Sequence, residues 1–271
     1  MEHFRSMLFT LRSLWVHRSL IQRLAWRDIL TRYKGSAGGL LWALITPILL
    51  LSVYTAVFSG IFQARWGQTG GPVEYALQLF VGLTIHGVAA ECLNRAPVLI
   101  ASNASYVKRV VFPLQVLPLV NLLSALFHFA ISLLVLVVFY SVVKKSLPVV
   151  GLLYLPFIVA PYIVFLAGIS YLLAGLGVYL RDIGQIMGLV TTLLLFLSPV
   201  FYPASMLPER LQTVFMVNPL TLIIEQSRAV LLDGLAPNWG LLGLYTVGAL
   251  AIGALGIWAF QKMRKGFADV L

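Results

Sequence analysis

Charge is scarce in this chain. Only 10% of its 271 residues are Asp, Glu, Lys or Arg, and nine of them are acidic. An ordinary soluble domain carries about 25% charged residues, so the chain cannot dress a water-exposed surface of the usual kind. A single cysteine, Cys92, excludes an intramolecular disulfide and a thiolate metal cluster. Three chemistry-bearing motifs are missing as well. No Gly-x-x-x-x-Gly-Lys-Ser/Thr loop is present, so any ATP-driven function must borrow its ATPase from another chain. No His-Glu-x-x-His pair offers zinc a site, and no Gly-x-Ser-x-Gly turn offers a nucleophile; Gly168-Ile169-Ser170-Tyr171 does not supply one. A signal peptide is also excluded, because residues 1–34 hold seven Arg or Lys before any long apolar run and end in no small-residue cleavage site.

What the chain has is apolar length. Sixty per cent of its residues are hydrophobic, and mean hydropathy is +0.95. Each residue of a helix advances ~1.5 Å, so crossing a hydrocarbon core about 30 Å thick takes about 20 apolar residues. Six candidate spans emerge, at 39–62, 75–92, 113–143, 149–180, 183–200 and 239–260. The formal charge of +10 lies at the ends of these runs and forms no exposed stripe, which favours a topology signal over nucleic-acid binding. With both termini on one side, that side holds 14 of the 19 basic residues, and the other holds Arg65, Lys144, Lys145, Arg210 and Arg228. This bias predicts a multi-pass protein with both termini cytoplasmic. The fourth span carries Pro156, Pro161, Gly168, Gly175 and Gly177, which predicts a kinked helix with close neighbours. The two halves show no repeat, which weakens an inverted-repeat transporter.

Four segments say more. Before the first span, Trp26, Ile29, Leu30 and Tyr33 follow i, i+3, i+4, i+7 spacing, with Arg23, Arg27 and Lys34 elsewhere and Asp28 and Arg32 at i, i+4. This reads as an amphipathic helix lying in the headgroup layer, or as a plain positive-inside anchor. The loop 93–112 is too apolar for a solvated connector. A short helix from Pro97 would present Val98, Leu99 and Ile100 beside Ser102, Asn103 and Tyr106, either to a partner groove or to the chain's own helix ends, before Lys108 and Arg109 re-enter the membrane. Outside, 199–234 is broken by four prolines. Asn218-Pro219 reads as a helix start and Asp233-Gly234 as a stop, and the intervening helix reaches only about 21 Å. A re-entrant hairpin over 201–234 fits, with Glu225 and Arg228 pairing at i, i+3; an external amphipathic hairpin is the alternative. Finally, Leu180-Arg181-Asp182-Ile183 turns span four into span five with almost no loop.

His86 and His128 lie inside spans, where packing between helices is expected of them because neither has an evident acidic partner at midplane; Glu91 has Arg95 one turn away near the cytoplasmic boundary. The chain is rich in aromatics. Tyr54 and Phe58 share a face of span one, Trp42 lies near its inner end, and Phe196, Phe201 and Tyr202 lead into the outer hairpin. Such rings can stack on sugars, pack a core or anchor in the lipid interface.

WRDILTRYKGSAGGLLWALITP (26–47), ASNASYVKRVVFPLQVLP (101–118), LRDIGQI through LSPVFYP (180–203) and NPLTLIIEQSRAVLLDG (218–234) together carry a resemblance over about residues 20–265. The chain resembles the permease subunits of polysaccharide-exporting ABC transporters, the Wzm, KpsM and TagG-like group, most closely the Wzm type. The resemblance implies an all-α integral membrane protein of the bacterial inner membrane, a single permease domain over 1–271 with six transmembrane helices. Its N-terminal interface segment falls on residues 1–38, with Trp26, Arg27, Asp28, Arg32 and Tyr33. A coupling helix falls on 97–106, with Pro97, Leu99, Ile100, Ser102, Asn103 and Tyr106. Trp42, Tyr54, Phe58 and Phe196 become candidate channel aromatics, and Phe201, Tyr202, Glu225 and Arg228 an outer gate between spans five and six. The implied partners are a second copy, two ATPase subunits that hold ATP and magnesium, membrane lipids and an undecaprenyl-linked polysaccharide, first among them O-antigen. An ion-coupled transporter or lipid-linked sugar flippase, and a membrane glycosyltransferase, are the alternatives.

Overall fold

The computed structural model describes residues 12–61, 66, 71–107, 112–206, 208, 210, 212, 215 and 217–271. Most of these are helical, without a strand among them. Helix α1 is Arg18–Tyr33; α2 is Trp42–Tyr54, entered through a 3-10 turn at Gly39–Leu41 and continued by π-helical turns over Thr55–Ile61. The long helices α3 (Pro72–Arg95), α5 (Val116–Lys144), α6 (Val149–Tyr179) and α9 (Trp239–Arg264) follow, with α4 (Ala104–Val107), α7 (Ile183–Leu197), α8 (Pro219–Leu231) and α10 (Phe267–Val270) shorter.

Five segments are long and apolar enough to cross a membrane: Gly39–Phe58, Val73–Arg95, Val116–Lys144, Val149–Tyr179 and Trp239–Arg264. The expected span at 183–200 is shorter than predicted. Helix α7 stops at Leu197, where Ser198 turns extended, and its 15 residues rise about 22 Å, less than the ~30 Å core. The end of span one at Phe62, the basic pair Lys108 and Arg109, and part of the stretch between Met206 and Val217 lie outside the described residues.

Sequence signals account for several boundaries. Asn218 caps α8 by accepting the Leu220 amide at 2.9 Å, and Pro219 supplies the first turn, as its fixed φ favours. Gly234 follows at φ +68°, a conformation that lets the chain leave α8 at once. The α6–α7 connection is the tight turn expected, closed by Ile183 N–H to Leu180 O at 3.3 Å and Gln185 N–H to Asp182 O at 3.0 Å.

Helix α3 is the buried axis of the bundle and packs on α5, α7 and α8. Helices α6 and α9 form the tightest pair, because glycine removes the side chain where they meet. A Cβ on Gly256 would run into the Gly168 carbonyl, and one on Gly168 would meet the backbone at Ile252 and Gly253. Helix α6 passes Pro156 and Pro161 as one continuous helix.

Candidate functional site

Helix α1 buries only part of the apolar stripe its spacing suggested, at Ile29. It seats Ile21, Leu24 and Ala25 on Val116 and Val120 of α5 and buries Ile29 as well, while Trp26 and Leu30 stay about half exposed. The difference arises because α5 supplies an apolar ledge inside the chain, so the buried face turns towards protein. Trp26 touches α5 only edge-on, at 6.3 Å from Phe127.

The polar residues of α1 meet the C-terminal end of α3 and His128 of α5. Arg95 grips Asp28 with two nitrogens, at 2.7 and 2.9 Å, and the 3.5 Å Asp28–Arg32 pair lies beside it. Arg32 also binds the Glu91 carboxylate, and Arg95 stands 3.6 Å from it. The other Glu91 oxygen meets His128 Nδ1 at 3.1 Å, and His128 Nε2 meets the Tyr33 hydroxyl at 2.9 Å. A buried ion costs several kcal/mol unless paired and hydrogen-bonded, which this arrangement provides. Burial would raise the Asp28 carboxyl, but the hydrogen bonds and charge of Arg95 outweigh it and hold it below its ordinary value. His128 therefore does have an acidic partner, contrary to expectation. Glu91 lies 37 residues away in sequence, and only the packing of α3 on α5 joins them. His86 fills the packing role expected, with Nε2 3.0 Å from the Thr191 carbonyl of α7.

Glu91 and His128 also wall one end of a cleft of about 320 Å³ between α2, α3 and α5. Its sides are Pro47, Leu50 and Tyr54 of α2, Phe80, Thr84 and Gly87 of α3, and Ala125, Phe129 and Ser132 of α5. Of the candidate channel aromatics, Tyr54 lines this cleft and begins a run of rings. Tyr54 lies 6.3 Å from Phe58, Phe58 5.1 Å from Tyr75, and Tyr75 5.6 Å from Trp66. Trp42 stands apart on the exposed face near Gly38. Phe196, more than half exposed on α7, stacks on Phe201 at 5.6 Å, and Tyr202 donates to the Phe196 carbonyl at 2.6 Å.

The loop after α3 departs from its predicted form. Pro97 heads a series of turns leading to a 3-10 segment, Ala101–Asn103, before the single turn of α4. Of the two expected settings for Leu99 and Ile100, a partner groove or the chain's own helix ends, they take the second and are buried against Tyr171, Val178, Phe260 and Phe267. The reason is the C-terminal part of the chain, which brings α9 and α10 beneath the loop. Val98, Ala101, Ser102 and Ser105 form the exposed side. Asn103 folds back to donate to the Leu99 carbonyl at 2.9 Å, and the Tyr106 hydroxyl accepts from Arg27 of α1 at 2.9 Å.

At the opposite end, Arg228 is 3% exposed and holds α8 to its neighbours. It donates to the carbonyls of Gln78 (2.9 Å), Pro199 and Val200 (2.9 Å), pairs with Glu225 at 3.1 Å, and stacks on Trp66 at 4.3 Å. The predicted i, i+3 pair is present, but three backbone carbonyls share the guanidinium with it. Burial brings Arg228 down to about 10 and raises Glu225, the latter offset in part by the nearby guanidinium.

The family model for the ABC-2 type transporter membrane family matches residues 19–232, which take in α1, the charged cluster, the cleft, the loop and α8. The chain belongs to the ABC-2 type transporter family. Similar curated proteins include an O-antigen export system permease protein of Klebsiella pneumoniae, 26% identical over 90% of this chain and 92% of its own. Another O-antigen export system permease protein, from Myxococcus xanthus, is 25% identical over 97% and 99%. A polysialic acid transport protein of Escherichia coli is 22% identical over 88% and 92%.

As an ABC-2 family member this chain is a transport component rather than an enzyme. The sequence reading named Asp28 and Arg32 but paired them with each other. Their main partners in the ABC-2 chain, Arg95 and Glu91, come from α3. The surplus of acidic and basic residues where α1 meets the first spans was the one available signal for that cluster. For the Arg228 carbonyl cage no sequence signal existed, since backbone acceptors are the same in every residue.

Proposed function

We propose that this chain is the channel-forming subunit of an ATP-driven exporter that moves an undecaprenyl-linked polysaccharide, O-antigen first, across a bacterial inner membrane. Near full-length similarity to permeases named for O-antigen and polysialic acid carries the reading. It accords with the missing phosphate loop, because a polymer pump needs energy that this chain cannot harvest alone. Two copies enclose the path, six crossings each with both termini cytoplasmic, α7 completing the sixth and 201–234 forming a re-entrant outer gate. Two ATPase subunits, which hold ATP and magnesium, dock on the exposed side of the loop at Val98, Ser102 and Ser105. Their closure on ATP moves the loops as rigid levers.

Purification and reconstitution test this. The chain is expected to copurify with a P-loop ATPase and, with it, to export lipid-linked polysaccharide in an ATP-dependent manner. Transport by the lone chain driven by an ion gradient would establish the ion-coupled alternative instead. Turnover of a lipid-linked sugar by the lone chain would establish a glycosyltransferase.

A further inference from the structure

The cleft beside α2 is charged at one end and apolar along most of its length. On α3, Glu91 lines it one turn before the last residue of the helix, and Phe80 lines it eleven positions earlier. At ~1.5 Å per residue the cleft therefore follows α3 for about 16 Å, close to half of a ~30 Å hydrocarbon core. Its depth matches one leaflet, with the charged end at the level of lipid headgroups. Across the cleft stands α2, whose apolar stretch is the least buried of the five candidate spans, so protein packs only lightly on that side.

The charged end keeps hydrogen-bonding capacity in reserve. Glu91 Oε2 meets His128 alone, at 3.1 Å, whereas a carboxylate oxygen can accept twice. Arg32 carries five N–H donors, and its contacts with Glu91, Asp28 and His128 use only Nη1 and Nη2. Two carboxylates, Asp28 and Glu91, here face two guanidiniums, Arg32 and Arg95, so a purely anionic head finds no surplus of positive charge. About 10 Å along α3 from Glu91, Thr84 lines the cleft with its hydroxyl buried and without a hydrogen-bond partner among the described residues. A buried hydroxyl left unpaired is costly, so its partner comes from outside the chain. Between the two, Gly87 lines the cleft with no side chain, and a Cβ there would meet nothing within 4 Å.

We propose that this cleft binds a membrane phospholipid whose head carries a primary ammonium group. The ammonium donates to Glu91 Oε2, and the phosphate accepts from Arg32 at the mouth. An ester carbonyl accepts the Thr84 hydroxyl, and one acyl chain lies along Leu50, Phe80 and Phe129. The head must be a primary ammonium, because a trimethylated one has no N–H to give the carboxylate. Bound there, the lipid supplies α2 with the packing contacts that the chain itself does not. The inference goes beyond the export reading and depends on neither the cargo nor the ATPase.

Native mass spectrometry of the full chain tests this, with the protein purified in detergent and offered equal amounts of phosphatidylethanolamine, phosphatidylcholine and phosphatidylglycerol of matched acyl chains. Phosphatidylethanolamine is expected to be retained about tenfold over either competitor, as one charge-assisted hydrogen bond predicts, and to raise the melting temperature. Gly87→Leu fills the cleft and replaces a glycine inside a helix with a better helix former, so it should stay folded yet lose both the retained lipid and the thermal shift. Glu91→Gln keeps the shape of the side chain and should retain lipid while losing most of the preference for ethanolamine over choline. Equal retention of phosphatidylethanolamine and phosphatidylcholine by the unaltered chain overturns the proposal. So does a preference for phosphatidylglycerol, which would assign the cleft to an anionic lipid. Undiminished retention in Gly87→Leu overturns it by placing the lipid elsewhere. Retention of no lipid overturns it as well and leaves the cleft to be closed by protein, such as a second copy of the chain.

Discussion

Arg228 concentrates more polar contacts than any neighbouring side chain of α8. Removing it takes this donor from the buried carbonyls of Gln78, Pro199 and Val200 and from the partly exposed Glu225 carboxylate. Arg228→Ala is therefore expected to destabilise the protein by about 3–5 kcal/mol, the usual cost of stripping one partner from a buried charge group. Thermal unfolding in detergent checks this. Arg228→Lys should recover only a fraction, because one ammonium cannot reproduce the planar fork that serves several acceptors. Asp28 makes a pH prediction. Its carboxyl titrates below the ordinary 3.8, so its contribution to stability is complete above that value and is lost as pH falls through the lower folded-state value. Melting curves of the unaltered protein and Asp28→Asn should differ at pH 6 and converge in strong acid. A gap that persists there would mean that the Arg95 contact does not stabilise the folded chain.

At the level of elements, close helix contacts depend on glycine where a backbone approaches. A Cβ on Gly177 of α6 would overlap the Pro97 carbonyl, so that position presses the start of the loop after α3 directly onto the helix. Gly177→Ala should cost about 1–3 kcal/mol through overpacking and push the loop outwards. Reduced copurification of the ATPase, alongside the lowered melting temperature, would register both effects. The positions of these glycines in span four announced a close neighbour. They did not announce which one, because Gly168 meets α9 while Gly177 meets the loop. Helix ends were more legible. The Asn218 cap and the Gly234 exit act within a few residues, where spacing in sequence is distance in space. For Leu99 and Ile100 burial was one of two legible readings, but the residues that cover them were not, since Phe260 and Phe267 arrive from the far end of the chain.

For the whole molecule, the basic bias and the apolar runs make a topology that labelling can check. In a Cys92→Ser background, cysteines in the α5–α6 turn at Ser146 and the α8–α9 turn at Pro237 should react with a membrane-impermeant reagent added outside. Cysteines replacing Ser36 and Leu271 should react only after permeabilisation. Labelling of Leu271→Cys from outside would mean an odd number of crossings, with the short α7 failing to cross.

Hydropathy and charge in the sequence determined the solvent this protein lives in and the approximate limits of its long helices. Each of these depends on local composition, which burial in lipid reads residue by residue. The tertiary structure alone decided that Glu91 meets both Arg32 and His128, that α1 rests on α5, and that Arg228 gathers carbonyls from two other segments. Those contacts join residues far apart in sequence. Hydrogen bonds and ion pairs work only within a few ångströms, a separation that helix packing sets and spacing along the chain does not.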